Sequence, residues 1–142
     1  MDTYDLIDQA ITDILYAESG GDNEAMSFLA TLDEVDRRYA GSVMAERYVS
    51  EARTVEQRQR ALLAMAAINT RGSRRIIGIV MTHSGNPAVV QAAILATYVC
   101  GAEHFAPELM MLAATDRCEA TRNCADCALD WALSAMLDGT AG

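Results

Sequence analysis

Helix-capping residues recur at a fixed interval along this 142-residue chain, and that recurrence limits what the chain can fold into. Asp22, Thr54, Asn86 and Cys118 stand at successive offsets of 32, and the first three carry side-chain oxygens that can accept from the free N–H groups opening a helix. Between these markers the residue types keep step. Ala61, Ala93 and Ala125 share one position of the interval, and Leu63, Leu95 and Cys127 share another; further along, Ile77 falls with Leu109, Ile79 with Met111 and Val80 with Leu112. Such an interval holds a helix, a turn and a second helix, and each unit has an apolar face that it cannot cover alone. The units are therefore expected to stack. The fold class that follows is all-α: antiparallel helix pairs ranked as a short right-handed α-solenoid of about eight helices, forming one domain over residues 1–142. A capping helix over 3–19 precedes units near 22–53, 54–85, 86–117 and 118–138.

Local signals place the helices. Thr3 can cap a first helix whose Leu6, Ile7, Ala10, Ile11, Ile14 and Leu15 share a face, with Gly20-Gly21 ending it. Asp22 or Asn23 opens a second helix with Ala25, Phe28, Leu29, Leu32 and Val35 inward, and Gly41-Ser42 is expected to break it before a shorter helix through Ala52. Thr54-Val55-Glu56-Gln57 has the capping-box pattern and starts a long helix to about Thr70. Gly72 suits the residue after a helix end and Ser73 a new cap, so the next helix runs from Arg74 to His83. Asn86-Pro87 joins a good cap to a proline whose missing donor costs nothing at the first helical position; Gly101 closes that helix. Pro107 begins another through Thr115. A last helix from Glu119 to Leu137 carries Cys124, Cys127, Ala128, Trp131 and Ala135 on one stripe, and Gly139 ends it.

The stretch Asn86-Pro87-Ala88-Val89-Val90-Gln91-Ala92-Ala93, then Gly101 and Ala106-Pro107-Glu108-Leu109, resembles one unit of the short HEAT-like repeats of the phycobilisome-lyase type. That pattern has an Asp-Pro start, a Val-Arg pair, a buried Ala, a Gly turn and a second proline. Arg58 and Arg122 match its Arg, whereas Val90 does not, and Thr54 and Cys118 stand where the usual Asp would be. The resemblance covers roughly residues 54–137 and implies an adaptor or scaffold; it carries over no catalytic residue.

Charge is divided sharply along the chain. Residues 1–36 hold ten acids and no base, residues 37–75 hold nine Arg against Glu46, Glu51 and Glu56, and residues 76–142 hold seven acids against Arg117 and Arg122. A net charge of −9 argues against direct nucleic-acid binding, because phosphate affinity needs cations that are outnumbered here. All eleven basic residues are Arg and none is Lys, the mark of a GC-rich genome rather than of a mechanism. No basic segment leads into an apolar run and no uncharged stretch reaches bilayer length, so the expected location is the cytoplasm, away from membranes.

In that compartment Cys100, Cys118, Cys124 and Cys127 are expected to be thiols, and Cys127 and Cys100 share repeat positions with Leu63, Leu95 and Ile68, as small core hydrophobes would. A zinc site using Cys100, His104, Cys124 and Cys127, or a redox Cys-x-x-Cys, is the alternative, although that pair falls within a helix rather than at its start. No cofactor is expected. A nucleophile elbow, a P-loop and a dinucleotide fingerprint are all missing, and neither His83 nor His104 has metal-site spacing, so catalysis is not expected. Arg71-Gly72-Ser73-Arg74-Arg75 lies at a turn leading into a helix, where three guanidiniums could grip a phosphate or an acidic partner, or else pair with the molecule's own acids; Arg71, Arg74 and Arg75 are the expected contacts, with Arg58 and Arg122 structural or groove-lining. The chain thus reads as an interaction module for another protein, with a homodimer as a second use of its exposed end faces. A different reading makes the acidic first helix, with Asp2, Asp5, Asp8, Asp13 and Glu18, a small inhibitor or decoy that imitates nucleic acid.

Overall fold

Most helix ends lie where capping chemistry puts them. The computed structural model describes residues 2–18 and 23–141, the last three as backbone alone. Among the described residues there are eight α-helices and no strand: α1 (Thr3–Leu15), α2 (Asn23–Ala30), α3 (Glu34–Glu51), α4 (Val55–Ile68), α5 (Arg71–His83), α6 (Pro87–Cys100), α7 (Ala106–Thr115) and α8 (Glu119–Ala141), with a 3-10 turn at Ala102–Phe105. Thr54 Oγ1 accepts from the Gln57 N–H at 3.1 Å while Gln57 Oε1 accepts from the Thr54 N–H at 3.2 Å, the reciprocal capping box. Asn86 Oδ1 accepts from the Ala88 N–H at 2.9 Å ahead of Pro87, and Gly101 ends α6 at φ 104°, a backbone angle open to glycine. Helices α4, α6 and α8 begin thirty-two residues apart.

The chain forms two compact units, Met1–Ile76 and Ile77–Gly142. In the first, α1 packs on α2, α3 and α4, and α4 also meets α2 and α3. Ile7, Ile11, Ile14 and Leu15 of α1 and Leu62, Met65 and Ile68 of α4 are fully buried, each side chain contributing about 1.5–3 kcal/mol by leaving water. Ala61, Ala64 and Ala66 are buried too, so α4 has small residues on its other faces and its neighbours can approach closely. In the second unit α8 packs on α6, the 3-10 turn and α7.

Several expectations from the sequence are corrected. Asp2, not Thr3, caps α1, accepting from the Asp5 N–H at 2.8 Å. Gly20, Gly21 and Asp22 lie outside the described residues. The break expected at Gly41-Ser42 falls instead at Thr31–Asp33, where Asp33 caps α3 by accepting from the Asp36 N–H at 2.9 Å, and Val35 faces water. Gly41 sits inside α3 because the partner surface leaves no room for a side chain. A Cβ there would come within 2.9 Å of Thr70 Oγ1 and 3.0 Å of Ser73 Oγ.

Helix α5 starts at Arg71, with Gly72 inside it; its cap is Thr70, whose hydroxyl accepts from the Ser73 N–H at 3.0 Å. Helix α8 runs on past Gly139 to Ala141. It buries Thr121, Ala125, Ala128 and Ala132, whereas Cys127 is exposed and Trp131 lies edge-on to Tyr98, with ring centroids 5.6 Å apart. Small side chains take the inner stripe since a helix meeting three neighbours has no space beneath it for an indole. Ala61, Ala93 and Ala125 are all fully buried, but Leu63, Leu95 and Cys127 are all exposed, so Cys127 is not the core hydrophobe expected.

Thermal unfolding separates two glycines that the sequence does not distinguish. Gly41→Ala should destabilise by about 1–3 kcal/mol by driving a methyl group against the α5 cap, despite alanine's higher helix propensity. Gly72→Ala, with its nearest neighbour at 3.9 Å, should stabilise by about 0.5–1 kcal/mol.

Candidate functional site

The last carbonyls of a helix lack internal partners and carry the negative end of its dipole, so a cation there satisfies both. None of α1, α2, α3 or α4 has a basic residue in its own last turn. Arginines from elsewhere serve these ends instead. Arg60 of α4 donates to the Ile14 and Leu15 carbonyls at the end of α1, at 2.9 and 3.1 Å. Arg37 of α3 reaches Ala30 O and Leu32 O after α2, both at 3.0 Å, and Ile68 O at the end of α4 at 2.9 Å. Arg58 donates to Ala52 O after α3 at 3.2 Å, and Arg122 to Asp116 O after α7 at 2.7 Å; each of these two reaches back six residues from the same place in its helix.

Other arginines are engaged as well. Arg47 pairs with Glu51 and donates to Thr12 Oγ1 at 2.8 Å, tying α3 to α1. Its guanidinium, then the Tyr16 hydroxyl donating at 2.9 Å, holds the Glu51 carboxyl below its ordinary range. Arg53 donates to Ser50 O, and Arg38 pairs with Glu34 on the surface.

The expected contact residues fall into two groups. Arg74 is held by Asn69, to the carbonyl at 3.2 Å and the side-chain oxygen at 2.8 Å, and so has a structural duty. Arg58 and Arg122 are hydrogen-bonded to backbone carbonyls. Arg71 and Arg75, one turn apart on α5, are exposed and have no hydrogen-bond or ion-pair partner among the described residues. They are the part of the basic band open to another molecule.

A second surface, which the sequence did not reveal, lies between α1 and α2. Leu6, Ala10, Ala25 and Phe28 line an open groove of about 310 Å³, with Asp13 and Glu24 among its lining residues. Leu6 was expected in the core; it is 44% exposed and forms part of this groove. Only its apolar type on a periodic face was visible beforehand. Of the α1 carboxylates nominated for a decoy, Asp2 caps the helix, Asp8 accepts from the Tyr39 hydroxyl at 2.9 Å and Asp13 accepts from Gln9 Nε2 at 2.8 Å.

The zinc candidates are not brought together. Cys100 is buried with its Sγ near Ala96 O, His104 is exposed in the 3-10 turn, and Cys124 and Cys127 lie within α8. Among the described residues no group of three or more His, Cys, Asp and Glu is placed to hold a metal ion. His83 is exposed with Nδ1 beside Thr82 Oγ1. Cys118 stands at the start of α8, where its thiol pKa is lowered by the Thr121 hydroxyl first and then by the N–H groups of Thr121 and Ala120. Burial raises that of Cys124.

Two measurements follow. Arg60→Ala should lower stability by about 1.5–3 kcal/mol in denaturant unfolding, because it strips a charged donor from two carbonyls. Arg75→Ala should stay within about 0.5 kcal/mol of the parent. Iodoacetamide at neutral pH, read by peptide mass mapping, should alkylate Cys118 before Cys124, and Thr121→Val should narrow that gap.

No protein family, curated protein or solved structure matches this chain.

Proposed function

We propose that this chain is a non-catalytic protein–protein interaction module, an adaptor, scaffold or regulator built of HEAT-like helix pairs ranked as a short right-handed α-solenoid. The observation that carries the reading is the allocation of arginines. Seven of the nine in the basic band hold the fold's own carbonyls and carboxylates, whereas Arg71 and Arg75 face solvent with no such partner among the described residues. A guanidinium fork pairs with a carboxylate through two parallel hydrogen bonds, so the partner surface that fits here is acidic. The ranked helix pairs are supported by the common spacing of the α4, α6 and α8 starts and by the matched exposure of equivalent residues: Ile77 and Leu109 are both fully buried, and Ile79 and Met111 are both 45% exposed. No helix among the described residues is long and apolar enough to cross a membrane.

The test is affinity purification from the native cell with the wild-type chain and with an Arg71→Glu/Arg75→Glu double variant. The parent should recover one protein in stoichiometric amount, and the double variant about tenfold less, with unchanged helicity and melting temperature. Equal recovery would remove the arginine pair from the interface. Recovery of nothing beyond the chain itself, with a dimer in sedimentation, would make self-association its function.

A further inference from the structure

The α1–α2 groove combines two properties that together specify an occupant. Its floor is apolar: Leu6, Ala10, Ala25 and Phe28 give a depression of about 310 Å³, room for a large apolar side chain and part of its neighbour. Its flanks are anionic. Asp13 and Glu24 line it, and neither has an ion-pair partner among the described residues. The surrounding sequence offers no internal cation, since residues 1–36 contain ten acids and no base. The arginines that do reach α1 and α2 go to backbone carbonyls or, for Arg47, also to Thr12 Oγ1, not to these carboxylates.

An acidic-flanked apolar depression between two helices complements a short amphipathic segment that presents a large apolar residue with Lys or Arg a turn away on either side. A lipid surface or a nucleic acid would meet the same carboxylates with phosphates and be repelled. A second copy of this chain would bring its own acids at net charge −9. We propose that the groove is the docking site for a basic amphipathic helix of a partner protein, its apolar anchor against Leu6 and Phe28 and its cations on Asp13 and Glu24. This deepens the interaction-module reading and rests on it, but uses a surface other than Arg71 and Arg75.

The probe is a fluorescently labelled helical peptide with a leucine stripe flanked by lysines, beside a twin in which the lysines are glutamates and another in which the central leucine is serine. Anisotropy titrations should show the basic peptide binding at least about tenfold tighter than either twin. Asp13→Lys/Glu24→Lys should erase that preference. Asp126→Lys/Asp130→Lys, which changes the net charge equally on α8, should leave it in place and so separates the groove from bulk charge. Equal loss in both double variants, or indifference to the serine replacement, would overturn the proposal by reducing the binding to non-specific attraction. A dimer in sedimentation that Asp13→Lys/Glu24→Lys abolishes would overturn it too, in favour of a second copy as occupant. In the native pull-down, partner recovery lost with Asp13→Lys/Glu24→Lys but kept with Arg71→Glu/Arg75→Glu supports the groove. The reverse pattern overturns the groove alone and leaves the module reading standing.

Discussion

The organisation of this protein depends on how its helices dispose of the carbonyls at their C-terminal ends. Four consecutive helices finish without a basic residue of their own, and each end is answered by a guanidinium contributed from a different part of the chain. These bonds are charge-assisted and, apart from the exposed one to Ala30 O, partly buried, which makes them stronger than the surface ion pair of Arg38 with Glu34. They also explain why the basic residues crowd into the middle of an acidic chain. The band at residues 37–75 is less a binding patch than the set of ties that closes the first unit, with two arginines left over.

That division bears on what the molecule can do. An arginine that holds a carbonyl cannot be surrendered to another molecule without freeing a helix end, so Arg74 is the least available of the three arginines on α5. Arg71 and Arg75 carry no such obligation. Likewise Asp2 and Asp8 are occupied by a cap and a tyrosine, whereas Glu24 stands beside an apolar depression with Asp13. Charge on this surface becomes informative only after the internal claims on each residue have been settled.

Local chemistry was legible in the sequence, and tertiary demands were not. The Thr54 capping box, the Asn86-Pro87 start and the Gly101 turn each involve residues within four of one another, and each stands as the residues imply. Gly41 reads as a helix breaker by propensity, yet it is held inside α3 by the approach of Thr70 and Ser73, about thirty residues away in sequence. The stripe on α8 was misjudged by the same means. Periodicity admits either Cys127 and Trp131 or Ala125 and Ala132, and what decides is the space beneath the helix, a property of its neighbours. The arginine ties were equally hidden because an Arg on a helix carries no mark of the carbonyl it will meet. Leu6 shows the converse: it belongs to the apolar face but stands at its margin, where α2 leaves the groove open.

Arg37 touches carbonyls near the ends of both α2 and α4 through one guanidinium. Helix α2 is eight residues long, too short to persist by itself, and its terminus is moored to the most deeply buried helix of the first unit. Its unravelling would loosen that helix's last turn in the same event. The shortest helix thereby acquires the cooperativity of its neighbour.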